Sequence, residues 1–255
     1  MAAPGDFIFL HSSRRILHGV GSLDRLADLA KERSARSAAC VLDAFFVGGP
    51  IEARLHAILE PILGRPAIIG VPAQEPDLAT VEACRQSLAD AAPDLIIAIG
   101  GGSAIDTAKV ARMLLANLGP AEAIAGFGKT MTPHPSLFVA VPTTAGTGSE
   151  VSESAIVGKT DAPVKLIYRS PEMTPAIAIL DPALSTTAPA AVTAQSGFDA
   201  LTHALEAYVS KAASPMTDPI AWQAFTTLAR WLPVAFREPG NLTARSHCLI
   251  ASCQA

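Results

Sequence analysis

In the segment GFDALTHALEAYVS, residues 197–210, a carboxylate and an imidazole stand four positions apart, Asp199 and His203, at the start of an apolar helical stretch. At that spacing both side chains leave the same face of a helix. One oxygen and one nitrogen donor so placed can begin a transition-metal site, but a pair alone leaves the metal under-coordinated. The same spacing equally describes an ordinary polar pair on a helix flank. The rest of the chain decides between them.

A second stretch, DLIIAIGGGSAIDTAK, joins an apolar strand to a helix through Gly100, Gly101 and Gly102. Glycines let backbone N–H groups approach an anion closely, and the positive end of the following helix favours a phosphate there. Ser103 is expected to cap that helix, with Asp106 three residues on in the capping-box position. The spacing is not the dinucleotide fingerprint G-x-G-x-x-G, because Ile105 holds the third position. A phosphate-binding turn and a merely tight turn therefore both remain open.

The stretch VPTTAGTGSEVS, residues 141–152, also leaves a strand, and its Thr143, Thr144, Thr147 and Ser149 hydroxyls can bond ribose or phosphate oxygens. Two such loops on one sheet edge form the usual setting for a nucleotide. AIAGFGKT, residues 123–130, falls one residue short of a phosphate-binding P-loop, with Ala123 where glycine is required. Pro133 and Pro135 oppose the helix that must follow, so Lys129 is read as a solvent-facing loop residue.

The elements that must position these loops show in the texture of the chain. Near-continuous apolar runs at 37–43, 65–71, 94–100, 136–141 and 176–181 read as parallel strands covered on both faces. Helical patterns at 22–32, 51–59, 77–91 and 104–118 lie between them, and SESAIVG and VKLIYRS read as extra strands. Beyond residue 183 the strand texture gives way to helical stretches at 191–210, 217–235 and 241–255. The expected organisation is an α/β dinucleotide-binding domain over 1–183 and an all-helical domain over 184–255. The last helical stretch stops at Ala255 without a cap, which suggests an incomplete helical domain.

Composition sets the outer bounds. Half of the 255 residues are apolar and 16% are charged, enough for a large core. A net charge of -4 with no basic block argues against a nucleic-acid surface. Cys40, Cys84, Cys248 and Cys253 form no C-x-x-C pair, which fits a reducing, cytoplasmic setting. The start, MAAPGDFIFLHSSRR, lacks the layout of a secretory signal, and runs such as LIIAI are too short to span a bilayer.

Taken together, GGGSAIDTAK, VPTTAGTGSEVS, AILDPALSTTAP and GFDALTHALEAYVSKAASPMTD resemble the iron-containing (group III) alcohol dehydrogenases in order and spacing, from about residue 37 onward. The resemblance implies the fold shared with dehydroquinate synthase: an N-terminal Rossmann-like parallel-sheet domain followed by a helical one. It implies that Gly101, Gly102 and Ser103 hold the pyrophosphate of NAD. Thr143, Thr144 and Ser149 would line the same cofactor, Lys165 would lie near the nicotinamide ribose, and Leu184 would lie beside the cofactor in the cleft. Asp43 matches the acidic residue at the adenine ribose, where a carboxylate favours NAD over NADP.

The family's metal is held by one Asp and three His, and Asp199 and His203 match the first two. The others come from a downstream segment rich in His and Gly that is not found here. His11, His18, His56 and His134 belong to the α/β region, and His247 does not fit the pattern. Fe(II) suits mixed oxygen and imidazole ligands, with Zn(II) as competitor. It would act as a Lewis acid on a small alcohol or carbonyl substrate. A homodimer without nucleic-acid or membrane partners is implied. Three alternatives share the architecture: a metal-independent maleylacetate-reductase-like enzyme, a dehydroquinate-synthase-like lyase, and a non-catalytic NAD-binding fragment.

Overall fold

The computed structural model describes residues 12–255. His11 and most of the stretch read for a secretory signal, residues 1–11, lie outside the described residues. Six strands, β1 (Arg15–His18), β2 (Ala38–Asp43), β3 (Ala67–Val71), β4 (Leu95–Gly100), β5 (Leu137–Pro142) and β8 (Ile177–Leu180), form one parallel sheet in the order β1-β8-β5-β4-β2-β3. The remaining two, β6 (Ser154–Gly158) and β7 (Lys165–Arg169), pair antiparallel as a separate hairpin.

The apolar runs are continuous because the sheet is covered twice. In β2, Ala39 and Val41 enter one core while Ala38, Cys40 and Leu42 enter the other; in β4, Ile96 and Ala98 oppose Leu95, Ile97 and Ile99. Helices α3 (Leu78–Ala91) and α4 (Gly102–Ala116) cover the first face together with the hairpin residues Ala155, Val157 and Tyr168. Helices α1 (Leu26–Glu32) and α2 (Pro50–Leu63) cover the second. Each Ile or Leu buried in this way contributes about 2 kcal/mol. Asp77 starts α3 by accepting a hydrogen bond from Thr80 N at 2.8 Å.

β1 escapes a reading by pattern. It is a four-residue edge strand, RILH, without alternation, fixed only by its parallel register with β8. Asp181, just after β8, is fully buried and accepts from Gly21 N, Leu23 N and Ala183 N at 3.1–3.2 Å. It thereby ties the turn after β1 to the carboxyl edge of the sheet.

After the short helix α5 (Pro182–Ser185) the chain is helical: α6 (Ala190–Val209), α7 (Asp218–Arg237) and α8 (Leu242–Gln254). They pack through Ala200, Leu228, Leu232, Ala235, Ala244, Cys248 and Ala251, with Ala145 of the loop after β5 reaching the same cluster. Gly197 permits the close approach of α6 to α7, since a Cβ there would fall 2.2 Å from Leu232 Cδ1. Phe198 and Phe236 stay exposed beside a groove between these two helices. Among the described residues no helix is long and apolar enough to cross a membrane.

Candidate functional site: the carboxyl edge of the sheet

The chain steps from β2 outward to β3 and then back across β2 to β4, so the direction of winding reverses between β2 and β4. Ligands of open α/β sheets bind in the crevice at such a reversal, outside the carboxyl ends of the strands. Asp43 ends β2 and Gly100 ends β4, side by side. Asp43 is half-buried, with one carboxylate oxygen accepting from Phe45 N at 2.9 Å.

The three glycines have three different reasons. Gly100 has φ +156, and a Cβ on it would lie 2.7 Å from Ala104 Cβ and 3.0 Å from Asp43 Cβ. At Gly102 a Cβ would lie 2.6 Å from Thr147 Cγ2, so this glycine lets the second loop close against the first. Gly101 has ordinary extended φ, and its Cβ would touch only the Thr144 side chain, Oγ1 at 3.4 Å and Cγ2 at 3.9 Å, between the loops.

Helix α4 begins at Gly102 with Gly101 as its N-cap and no side-chain cap. Ser103 therefore does not cap it and Asp106 completes no capping box, contrary to the sequence reading. Because the helix starts two residues earlier than that reading, Ser103 lies inside it, and the carboxyl of Asp106 is drawn elsewhere. It accepts from Ser149 Oγ and from Ile156 N, the latter at 2.9 Å. The first-turn N–H groups of α4, with no side chain bonded to them, make a cradle suited to a pyrophosphate.

The second loop is bound to the first and to the helical region. Thr143 N donates to Gly100 O at 2.9 Å. A Cβ on Gly146 would lie 2.9 Å from Ser196 Cβ of α6, so the loop backbone rests on that helix. Thr144, Thr193, Ser196 and Arg245 line a cavity of about 10 Å³ where loop, α6 and α8 meet, the size of one water. Arg245 is 4% exposed and donates to Thr193 Oγ1 at 2.8 Å and Pro239 O at 3.0 Å.

Thr143 and Ser149 are buried, and Thr144 is half-buried. Leu184 is buried against the α1/α2 core. Lys165 opens β7 and pairs with Glu75 at 2.7 Å, opposite Gly158, which bridges to Asp77. It stands by the loop between β3 and α3. Lys129 of the P-loop-like stretch is exposed.

Asp199 and His203 approach to 3.7 Å on α6, both partly exposed. Ser196, Asp199 and His203 share one helix face, so the pair continues the face on which the second loop rests. Among the described residues no group of three or more His, Cys, Asp or Glu side chains is placed to hold a metal ion. The donors are of the right chemistry but too few. His247 is exposed and stacks on Trp231 with ring centroids 4.5 Å apart. His18 meets Ser246 of α8 at 2.8 Å, and its pKa is lowered by partial burial and by His247, against an opposing influence of Asp181. Lys109 and Asp181 were not singled out by sequence reasoning; an Asp and a Lys one turn apart on an apolar helix were the available signal for Asp106 and Lys109.

A parallel sheet with loops knitted at its reversal point, followed by a helical region, defines a Rossmann-like α/β domain joined to an α-helical domain. The chain belongs to the iron-containing alcohol dehydrogenase family. Residues 13–182 match the family model "Iron-containing alcohol dehydrogenase", and residues 193–255 match "Fe-containing alcohol dehydrogenase family, C-terminal". It is 35% identical over 240 residues to the probable alcohol dehydrogenase EutG of Salmonella typhimurium, covering 94% of this chain and 60% of that protein. The crystal structure of a 1,3-propanediol oxidoreductase is similar with TM-score 0.89 and 30% identity, over 97% of this chain and 65% of that one. Sulfoacetaldehyde reductase from Bifidobacterium kashiwanohense, solved in complex with NAD+, is similar with TM-score 0.88 and 28% identity, over 98% of this chain and 66% of that one. The chain thus spans about three fifths of the length of the curated relatives it matches first.

Proposed function

We propose that this chain binds NAD at the β2/β4 reversal and serves an oxidoreductase that transfers hydride between nicotinamide and a small alcohol or its carbonyl. In this reading Gly101, Gly102 and Ser103 hold the pyrophosphate, and Thr143, Thr144 and Ser149 form the opposing wall. Lys165 and Leu184 flank the cofactor, and Asp43 takes the adenine ribose. One observation carries it: Asp43, an uncapped helix start and a second loop wedged against it all meet at the sheet's point of reversal. The nicotinamide, when bound, supplies the hydride chemistry. The protein's part is to orient it toward the face of α6 that bears Asp199 and His203. Those two would supply two ligands of an iron or zinc site, which the described residues do not complete. A homodimer in the cytoplasm is the accompanying expectation.

Asp43 gives the reading a sharp consequence. A carboxylate accepts from a ribose 2′-hydroxyl and repels a 2′-phosphate by roughly 1–4 kcal/mol at partly solvated separations. The protein should bind NADH more tightly than NADPH, and Asp43→Ser should narrow the preference by about tenfold. Parallel titrations of nicotinamide fluorescence check this. Equal affinity of the unsubstituted protein for both cofactors would make Asp43 a turn residue.

A further inference from the structure

The first two turns of α4 carry two ionisable side chains to which cofactor binding gives no task. Lys109 is 1% exposed, yet its ammonium donates to Ser152 O at 2.9 Å, Ser152 Oγ at 3.1 Å and Ser154 O at 2.8 Å. Each of its three donors thus has an acceptor. One turn earlier, Asp106 takes Ser149 Oγ and Ile156 N. Burial lowers Lys109 to about 8 and raises Asp106, while the charge of each opposes the shift of the other. Glu150, 3% exposed, is pushed up to about 7 by burial, against the opposing influence of the Lys109 charge.

Moving ions out of water costs several kcal/mol each unless partners compensate. Packing a helix against a sheet does not require such a pair. All the side-chain hydrogen bonds of Asp106, as acceptor, and of Lys109, as donor, have their partners within residues 149–156, the second half of the loop and the start of β6. On its other side the loop meets α6 at Gly146 and approaches α8, where a Cβ on Gly148 would lie 3.4 Å from Ser252 O.

We propose that Asp106 and Lys109 are positioning residues that clamp the second loop to α4, so that both walls of the cofactor cleft are set before the dinucleotide arrives. The assignment rests on the NAD-binding reading above. Order imposed in the free protein removes a cost otherwise met on binding. The clamp therefore acts on the part of the ligand that reaches the second loop. AMP needs Asp43 and the glycine loop, whereas NADH also lies along the second loop.

The test compares Asp106→Asn and Lys109→Met, which keep side-chain size, with the unsubstituted protein. NADH affinity is read by fluorescence, AMP affinity by calorimetry, and loop order by amide hydrogen exchange of the free proteins. NADH binding should weaken about tenfold with AMP binding within about twofold, and exchange should quicken across 147–156. Ser152→Ala, which removes a single acceptor of Lys109, should show the same pattern more weakly if Lys109→Met does not fold. Equal losses for AMP and NADH would mean a structural role only and overturn the proposal. So would unchanged NADH affinity in both variants. An unsubstituted protein that binds neither ligand would instead refute the cofactor reading itself.

Discussion

Gly101→Val should abolish measurable NADH binding while leaving the fold almost untouched. The backbone of Gly101 is extended with φ -75, a conformation open to any residue, and its added Cβ would make only an ordinary contact with Thr144. The valine methyl groups would fill the gap between the loops and push the pyrophosphate off the first-turn N–H groups. Hydrogen bonds to a charged group contribute about 1.5–3 kcal/mol each, so losing two weakens binding by roughly 100-fold or more. Nicotinamide fluorescence and a thermal melt of the same sample read the two halves of the claim. Unchanged affinity would remove the glycine loop from the site. Gly102→Val is the contrasting variant: it must displace Thr147, so it should lower the melting temperature as well.

The second large effect concerns the metal. Asp199 and His203 provide one oxygen and one nitrogen, whereas a catalytic centre ordinarily has three protein ligands and an open position. With no third donor grouped beside them among the described residues, the purified 255-residue polypeptide should carry roughly a tenth of a metal equivalent or less. Alcohol oxidation should be correspondingly slight even with NAD bound. Elemental analysis decides the point. Stoichiometric iron or zinc, lost on Asp199→Ala or His203→Ala, would show that the site is completed by some other donor.

The parallel sheet and its helices were legible because burial on both faces writes itself into runs such as LIIAI, and amphipathic periodicity marks the helices between them. β1 was not, since four edge residues held only by β8 carry no pattern of their own. The two loops could be found from composition, but their joining could not. That Gly102 makes room for Thr147, and that Asp106 reaches Ser149 and Ile156 rather than its own helix end, depends on which strands are neighbours. Hydrogen bonds spanning 43 and 50 residues leave no local trace. The capping-box reading failed for that reason: a locally plausible partner was outcompeted by a distant one. The Asp199 and His203 pair was visible by spacing, while its alignment with the face of α6 that carries the second loop was not.

We propose that a dinucleotide lies at the β2/β4 reversal between two joined loops. Amide hydrogen exchange of the unsubstituted protein with and without saturating NAD+ tests it most directly. Slowed exchange at residues 43–46, 101–105 and 143–149 is the predicted footprint. NAD+ that binds with no protection at the glycine loop, or with protection confined to the opposite, amino edge of the sheet, would contradict the account.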